Sequence, residues 1–115
     1  MQYAMMFYTE PGYAEALPEA EREAVLAEFA ALLDEDRCVT AVQLQPAETA
    51  TCVRVAGGQT LMTDGPFADT KEVLGGVVLV EAANLDEVLE MAARIPVTRH
   101  GGVVENRPVV AVVAR

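Results

Sequence analysis

The sequence contains no serine and no tryptophan, only one histidine and only two cysteines. The absence of serine excludes a serine nucleophile, and two cysteines are too few for a disulfide scaffold. Cys38 and Cys52 lack the C-x-x-C spacing of a redox or zinc pair and lie in apolar stretches, so we predict two buried, reduced thiols. One histidine and no thiolate pair also exclude a His-rich or Cys-rich zinc site within one chain. A carboxylate-only site for Mg²⁺ or Ca²⁺ stays open, although no EF-hand spacing occurs. We predict neither a metal ion nor a cofactor.

Basic residues are scarce as well. Eight Lys and Arg stand against 18 Asp and Glu, which gives a formal net charge of −10 and a sequence pI near 4.4. This excess repels phosphate backbones and anionic lipid, so we expect no nucleic-acid partner and no membrane partner. No apolar run approaches the roughly 18 residues that span a bilayer, and the first residues lack the basic region of a signal peptide. The prediction is a soluble cytoplasmic protein.

The length of 115 residues fits a single domain, and we predict one domain over residues 1–115. With 52% hydrophobic and 23% charged residues, the composition is that of an ordinary globular chain. The order of patterns along the chain is strand, helix, strand, hairpin, strand, helix and strand. In residue numbers we expect a strand over 2–8, a loop over 9–17, a helix over 18–36, a strand over 38–45, a hairpin about Gly57-Gly58, a strand over 77–80, a helix over 85–95, and strand-like stretches at 103–104 and 109–113.

This order predicts an α+β fold in which two helices lie on one face of a mainly antiparallel sheet, with a ferredoxin-like split βαβ topology. The first strand is apolar on both of its faces: Tyr3, Met5 and Phe7 alternate with Ala4, Met6 and Tyr8. The helices can cover only one of those faces. We therefore predict a homodimer that packs sheet on sheet and buries at least about 1,200 Å² in total.

Two segments carry a family resemblance. One is Leu44-Gln45-Pro46 followed by Glu48-Thr49-Ala50, and the other is the stretch TDGPFADTKE over residues 63–72 with Gly75-Gly76 after it. Together with the ending from Ala93 to Val109, they make the chain resemble the DGPF branch of the YCII-related family, over nearly its whole length.

The resemblance implies a ferredoxin-like fold that dimerises into an α+β barrel. It also implies that the family contains enzymes, because the family is similar to muconolactone isomerases. Some members are thought to use a His and Asp pair with the histidine on the first helix. No histidine occurs over residues 18–36, so that pair does not carry over to this sequence. Genes of the DGPF branch often neighbour extracytoplasmic-function sigma factors, which implies a regulatory role as readily as catalysis.

Four residues are candidates for chemistry. Asp64 and His100 are the predicted catalytic residues: Asp64 as a general base or ligand anchor at a strand end, and His100 as the only histidine, the residue type best suited to proton transfer near neutral pH. Lys71 and Glu105 are the predicted substrate contacts, with Lys71 neutralising an anion. Three of the four have a structural alternative. Asp64 can accept backbone N–H bonds in an Asx-type turn, Lys71 can form a surface ion pair, and His100 can simply be exposed.

Phe67 of the same motif fits a core position better than a stacking platform. Two functions remain open at this point. One is a small-molecule enzyme with acid–base, isomerase-like chemistry, and the other is a non-catalytic dimeric module for ligand binding or regulation. The observation that separates them is whether Asp64 and His100 share one concave pocket.

Overall fold

A computed structural model describes residues 1–68 and 70–113. Asp69, which the motif places near Lys71, lies outside the described residues. The strands are β1 (Gln2–Thr9), β2 (Cys38–Gln43), β3 (Thr51–Ala56), β4 (Gln59–Asp64), β5 (Val73–Glu81) and β6 (Val103–Pro108). The helices are α1 (Tyr13–Ala16), α2 (Glu19–Leu33) and α3 (Leu85–Ala93), and 3₁₀ turns occupy Ala47–Thr49 and Pro96–His100.

The main sheet has four strands in the order β2-β5-β1-β6, and neighbouring strands are antiparallel. Because β1 and β2 are both antiparallel to β5, they run parallel to each other with α2 as their crossover. The same relation holds for β5 and β6, whose crossover is α3. This is the predicted ferredoxin-like split βαβ, so the α+β fold is confirmed. Strands β3 and β4 form a separate two-stranded sheet, inserted in the chain between β2 and β5.

The core lies between the helices and one face of the sheet. Along β1, the side chains of Tyr3, Met5 and Phe7 are at most 9% exposed and alternate with half-buried neighbours. Phe7 meets Phe29 of α2 edge to face, with ring centroids 5.6 Å apart, while Val88 of α3 is fully buried. Each such side chain contributes about 1.5–3 kcal/mol relative to an exposed one. Burial of this face fixes the register of the sheet.

In the described part of the chain, no helix lies on the other face of the sheet. This face presents Ala4 and Met6 of β1, which pair with Leu79 and Val77 of β5, and these four side chains are only partly buried. Val42 of β2 lies opposite Val77 and is 54% exposed. The sequence pattern of a strand that is apolar on both faces is therefore confirmed, with one of those faces open to solvent in the single chain.

Two of the predicted elements are wrong. Residues 13–16 form the short helix α1, where a loop was expected. The guanidinium of Arg22 on α2 donates hydrogen bonds to the carbonyls of Ala14, Glu15 and Leu17. The free carbonyls at the end of α1 are therefore satisfied by a side chain of the next helix, and no signal in the sequence of residues 13–16 indicates this helix. Residues 109–113 form no strand, because pairing with β1 ends at Pro108; only the amide of Val109 continues, donating to the carbonyl of Gln2.

Helix α2 ends at Leu33, three residues before the predicted end. Beyond it, the carboxylate of Glu35 accepts hydrogen bonds from Arg37 at 3.3 Å and from Arg94 at 3.3 and 3.4 Å. Burial alone would raise the pKa of Glu35, but these hydrogen bonds and the two positive charges outweigh it, so the pKa is lowered. The acidic stretch after α2 thus has a cationic partner, Arg94, at the end of α3.

Among the described residues, no helix combines the length and the apolar character needed to cross a bilayer.

Candidate functional site

Four of the segments that connect the strands of the main sheet lie at the same end of it. Tyr8, near the end of β1, lies opposite Leu74 at the start of β5 and opposite Val103 at the start of β6. The amide of Leu44, just after β2, donates to the carbonyl of Gly75 at 2.9 Å. The segments that follow β1 and β2 and those that precede β5 and β6 therefore meet at this end, which we call the motif end because both family segments lie there.

A cleft of about 330 Å³ opens at the motif end, a volume within the range of small-molecule sites. Its lining comes from the connection between β2 and β3, from the turn after β4 and from the first residues of β5. The apolar members include Leu44, Pro46, Ala50, Pro66, Val73 and Leu74. Gln45 and Thr49 supply the polar side chains, and the Thr49 hydroxyl donates to the Pro46 carbonyl at 2.7 Å. No charged side chain of the described residues belongs to the lining.

Hydrogen bonds hold the two family segments together beside this cleft. The amide of Gly65 donates to the carbonyl of Ala50 at 2.7 Å, and the thiol of Cys52 donates to the carbonyl of Gly65 at 3.2 Å. Gly65 has a φ of 99°, a conformation that side-chain-bearing residues rarely adopt. The glycine of the motif therefore has a backbone role, which is to turn the chain from β4 towards the cleft.

Asp64 lies at the root of the β3–β4 hairpin, opposite Thr51, with an exposed side chain. Among residues 1–68 and 70–113, no backbone amide donates to its carboxylate, so the Asx-type bond that the turn sequence suggested is not seen there. It is followed in the chain by Gly65, and its cross-strand partner Thr51 follows Ala50 of the lining. Asp64 lies two residues before Pro66 of the lining, just as Lys71 lies two residues before Val73.

Lys71 forms a surface ion pair instead of facing the cleft. Its Nζ lies 3.3 Å from Oε1 of Glu10, and the two side chains are 82% and 59% exposed. Exposed pairs of this kind contribute at most about 1 kcal/mol. The pair joins the segment before β5 to the segment after β1.

His100 lies at the same end of the sheet but on its helix side. Its side chain is 19% exposed, and its Nδ1 is 3.8 Å from Oε1 of Glu21 on α2. The ring also contacts that of Tyr13, with centroids 5.9 Å apart. Burial raises the pKa of Tyr13, against the positive charge of Arg99. Glu21, and not Asp64 or Glu105, is therefore the carboxylate that faces the imidazole.

Glu105 lies on the helix-free face, where β6 places it opposite Met6. It accepts from Arg107 at 3.2 Å, and these two residues share a face because they are two apart on a strand. The pKa of Tyr8 is raised, first by burial and then by the charge and hydrogen bond of Glu105, while Arg107 opposes the shift. Sequence reasoning missed Tyr8 and Arg107, although the two-residue spacing of Glu105 and Arg107 on a strand would have found the pair.

The four predicted site residues thus occupy three places. Asp64 lies at the root of the hairpin, beside Gly65. Lys71 and His100 lie near Glu10 and Glu21 at the motif end, and Glu105 lies on the helix-free face of the sheet. Within the described part of the chain, no hydrogen bond or ion pair joins Asp64 to His100.

The prediction for Phe67 is wrong. Its ring is 80% exposed and lies 5.5 Å from the guanidinium carbon of Arg54 in a cation–π contact. The turn at Gly65 and Pro66 carries the ring over the hairpin and away from the core. The aromatic residue of the motif is therefore a surface residue of the single chain.

Comparison with known proteins identifies the family of the chain. The YCII-related domain model matches residues 1–113. The chain belongs to the YCII-related family. An uncharacterized protein of Rhizobium meliloti (strain 1021) is 33% identical over 96 residues, which are 80% of this chain and 77% of that protein. In the described part of this YCII-related chain, no three side chains of His, Cys, Asp or Glu converge as metal ligands would.

Proposed function

We propose that this YCII-related chain, as a member of the DGPF branch, is a homodimer that binds a small molecule in the cleft at the motif end without catalysing its conversion. The observation that carries this proposal is the lining of the cleft. Leu44, Pro46 and Ala50 of one family segment and Pro66 of the other face the same space of about 330 Å³. Residues that carry the family resemblance thus line this cleft.

The lining favours an uncharged and largely apolar ligand. Its apolar side chains match apolar surface, and the Gln45 amide can both donate and accept a hydrogen bond. An anionic ligand would meet no cation in the lining, and it would approach a chain of net charge −10. In a regulatory role beside sigma factors, such a ligand would be the signal.

The dimer in this proposal packs the helix-free sheet faces of two copies against each other. Ala4, Met6, Val77 and Leu79 give that face an apolar centre, and their partial exposure leaves surface for a partner sheet to bury. We expect this interface to bury at least about 1,200 Å² in total.

An acid–base enzyme is the second candidate, and the position of Asp64 supports it. Its carboxylate is exposed and directly precedes Gly65, whose amide bonds to Ala50 of the lining. In that case Asp64 would take a proton from a ligand in the cleft. His100 would have no part in the step, because its partner is Glu21 on the helix side.

A thermal-shift screen of uncharged small molecules tests the proposal, since a ligand that binds only the folded state raises the melting temperature. Ala50→Leu narrows the cleft and should abolish the shift of any hit. Ala24→Leu, at an exposed position of α2, is the matched control and should keep the shift. Equal shifts in both variants would refute binding in this cleft. Conversion of a hit by the wild-type protein but not by Asp64→Asn would favour the enzyme instead.

A further inference from the structure

The β3–β4 hairpin, together with the turn to Phe67, projects from the domain with its apolar side chains uncovered. We call residues 51–67 the hairpin arm. On one face of it, Val53 is 64%, Val55 66% and Met62 73% exposed. Apart from the half-buried Cys52, every residue of its two strands is exposed. A two-stranded hairpin without a covering layer is marginally stable in water, so this arm calls for a partner surface.

The area and shape of the single chain point the same way. Its accessible surface is 8005 Å², whereas a compact monomer of this mass exposes about 6,100 Å². Its radius of gyration is 16.0 Å, against about 13 Å for a compact domain of this length. The excess of roughly 1,900 Å², to which the exposed Val110 and Val113 after β6 also contribute, is larger than the roughly 800 Å² that each partner contributes to a standard interface.

Charge identifies which part of the surface can meet an identical chain. The hairpin arm, residues 51–67, includes one base, Arg54, and one acid, Asp64, and so carries no net charge. The whole chain carries −10, so nearly all of the repulsion between two copies comes from the rest of the surface. Interface centres are depleted of charged residues and enriched in aromatic residues, Met and Arg. Phe67, Met62 and Arg54 are the members of that set on the arm.

We propose that the hairpin arm is an interaction surface that lies against a second copy of this chain. The inference deepens the proposed homodimer and rests on it. It adds a contact between the hairpin arm of each copy and the other copy to the contact between the sheets. A second copy fits better than a foreign protein with a basic surface, because such a protein would be drawn to the acidic helix layer and not to this nearly neutral arm. Two arms related by a twofold axis would each cover apolar surface that the single chain exposes.

Sedimentation velocity over a concentration series measures the dimer dissociation constant and tests the inference. Met62→Lys places a charge at the most exposed residue of the arm's apolar face, and we expect the constant to rise at least tenfold. Leu26→Lys is the matched control, since Leu26 is 58% exposed on α2, outside the arm, and its substitution should leave the constant within twofold. The double variant Val53→Thr, Val55→Thr keeps branched side chains suited to strands, so it decides the matter if Met62→Lys fails to fold.

The outcomes separate the inference from the proposed function. If the dimer dissociation constant is unchanged in the arm variants, the contact made by the arm is refuted and the sheet-to-sheet dimer is unaffected. A wild-type monomer at every concentration would overturn both, while ligand binding in the cleft would still be judged by the thermal-shift screen.

Discussion

Among the glycines, Gly102 is the position where an added Cβ atom should lower the free energy of unfolding the most. A Cβ there would lie 2.6 Å from Cγ2 of Val97, 2.8 Å from the carbonyl oxygen of Tyr8 and 2.9 Å from that of Val97. Two of these three atoms belong to the backbones of β1 and the 3₁₀ turn, so a side-chain rotation cannot relieve them. Overpacking of this kind costs about 1–3 kcal/mol. We expect Gly102→Ala to lower the free energy of unfolding by about 2 kcal/mol and the melting temperature by roughly 10 °C.

Urea unfolding with an unchanged m-value is the assay. Gly75→Ala is the control, because the nearest atom to its added Cβ is the Phe7 carbonyl oxygen at 4.0 Å, and its stability should change by less than about 0.5 kcal/mol. The double variant with Val97→Ala removes the methyl contact but keeps both carbonyl contacts, so we expect it to restore only a minor part of the loss. A cost below about 0.5 kcal/mol for Gly102→Ala would refute the reasoning.

Three further predictions concern charge and thiols. Asp64→Asn and Asp64→Ala should each change the free energy of unfolding by less than about 1.5 kcal/mol, as measured by urea unfolding. If Asp64 contacts the ligand, titration calorimetry with a screening hit should show at least about tenfold weaker binding. Unchanged affinity in both variants would show that Asp64 is not part of the site. The pKa of Glu35 is lowered in the folded state, so its stabilisation is present above the unfolded pKa and is lost as the pH falls through the folded one. Glu35→Gln should therefore cost up to about 1 kcal/mol at neutral pH and progressively less below about pH 4.5; a constant difference would contradict this. Cys38 and Cys52 should both react with iodoacetamide after denaturation without reductant, and a native disulfide detected by mass spectrometry would contradict the free thiols.

Local pattern was sufficient for most of the fold. The alternation in β1 and the helical stripe of α3, with its Asn84 cap accepting from the amide of Glu87, are short-range signals that the structure follows. Helix α1 carried no such signal, because its carbonyls are satisfied by Arg22 from the next helix. The acidic residues after Leu33 have their cationic partner, Arg94, 59 residues later than Glu35. Long-range charged contacts of this kind cannot be read from neighbouring residues.

The candidate site was harder to predict than the fold. The motif segments could be found by resemblance, and the hairpin signal placed Asp64 at a strand end. The partner of His100 depended on the packing of α2 against the 3₁₀ turn, which brings Glu21 to the imidazole. Phe67 was misplaced because the hydrophobicity of a side chain predicts burial only when the backbone aims it inwards, and the turn at Gly65 aims it outwards.

The hairpin arm is also a candidate for an independently opening unit. Apart from the chain itself, its described backbone bonds to the rest of the domain lie at its root, where Gly65 donates to Ala50. Segments with few buried contacts open at a small fraction of the global unfolding free energy. Amide hydrogens in the ladder between Cys52 and Thr63 should therefore exchange early in dilute solution, while those of Met5 and Val80 in the core exchange late. If assembly covers the arm, its protection will rise with protein concentration, because opening of the arm then requires dissociation, and folding of the arm is completed by association.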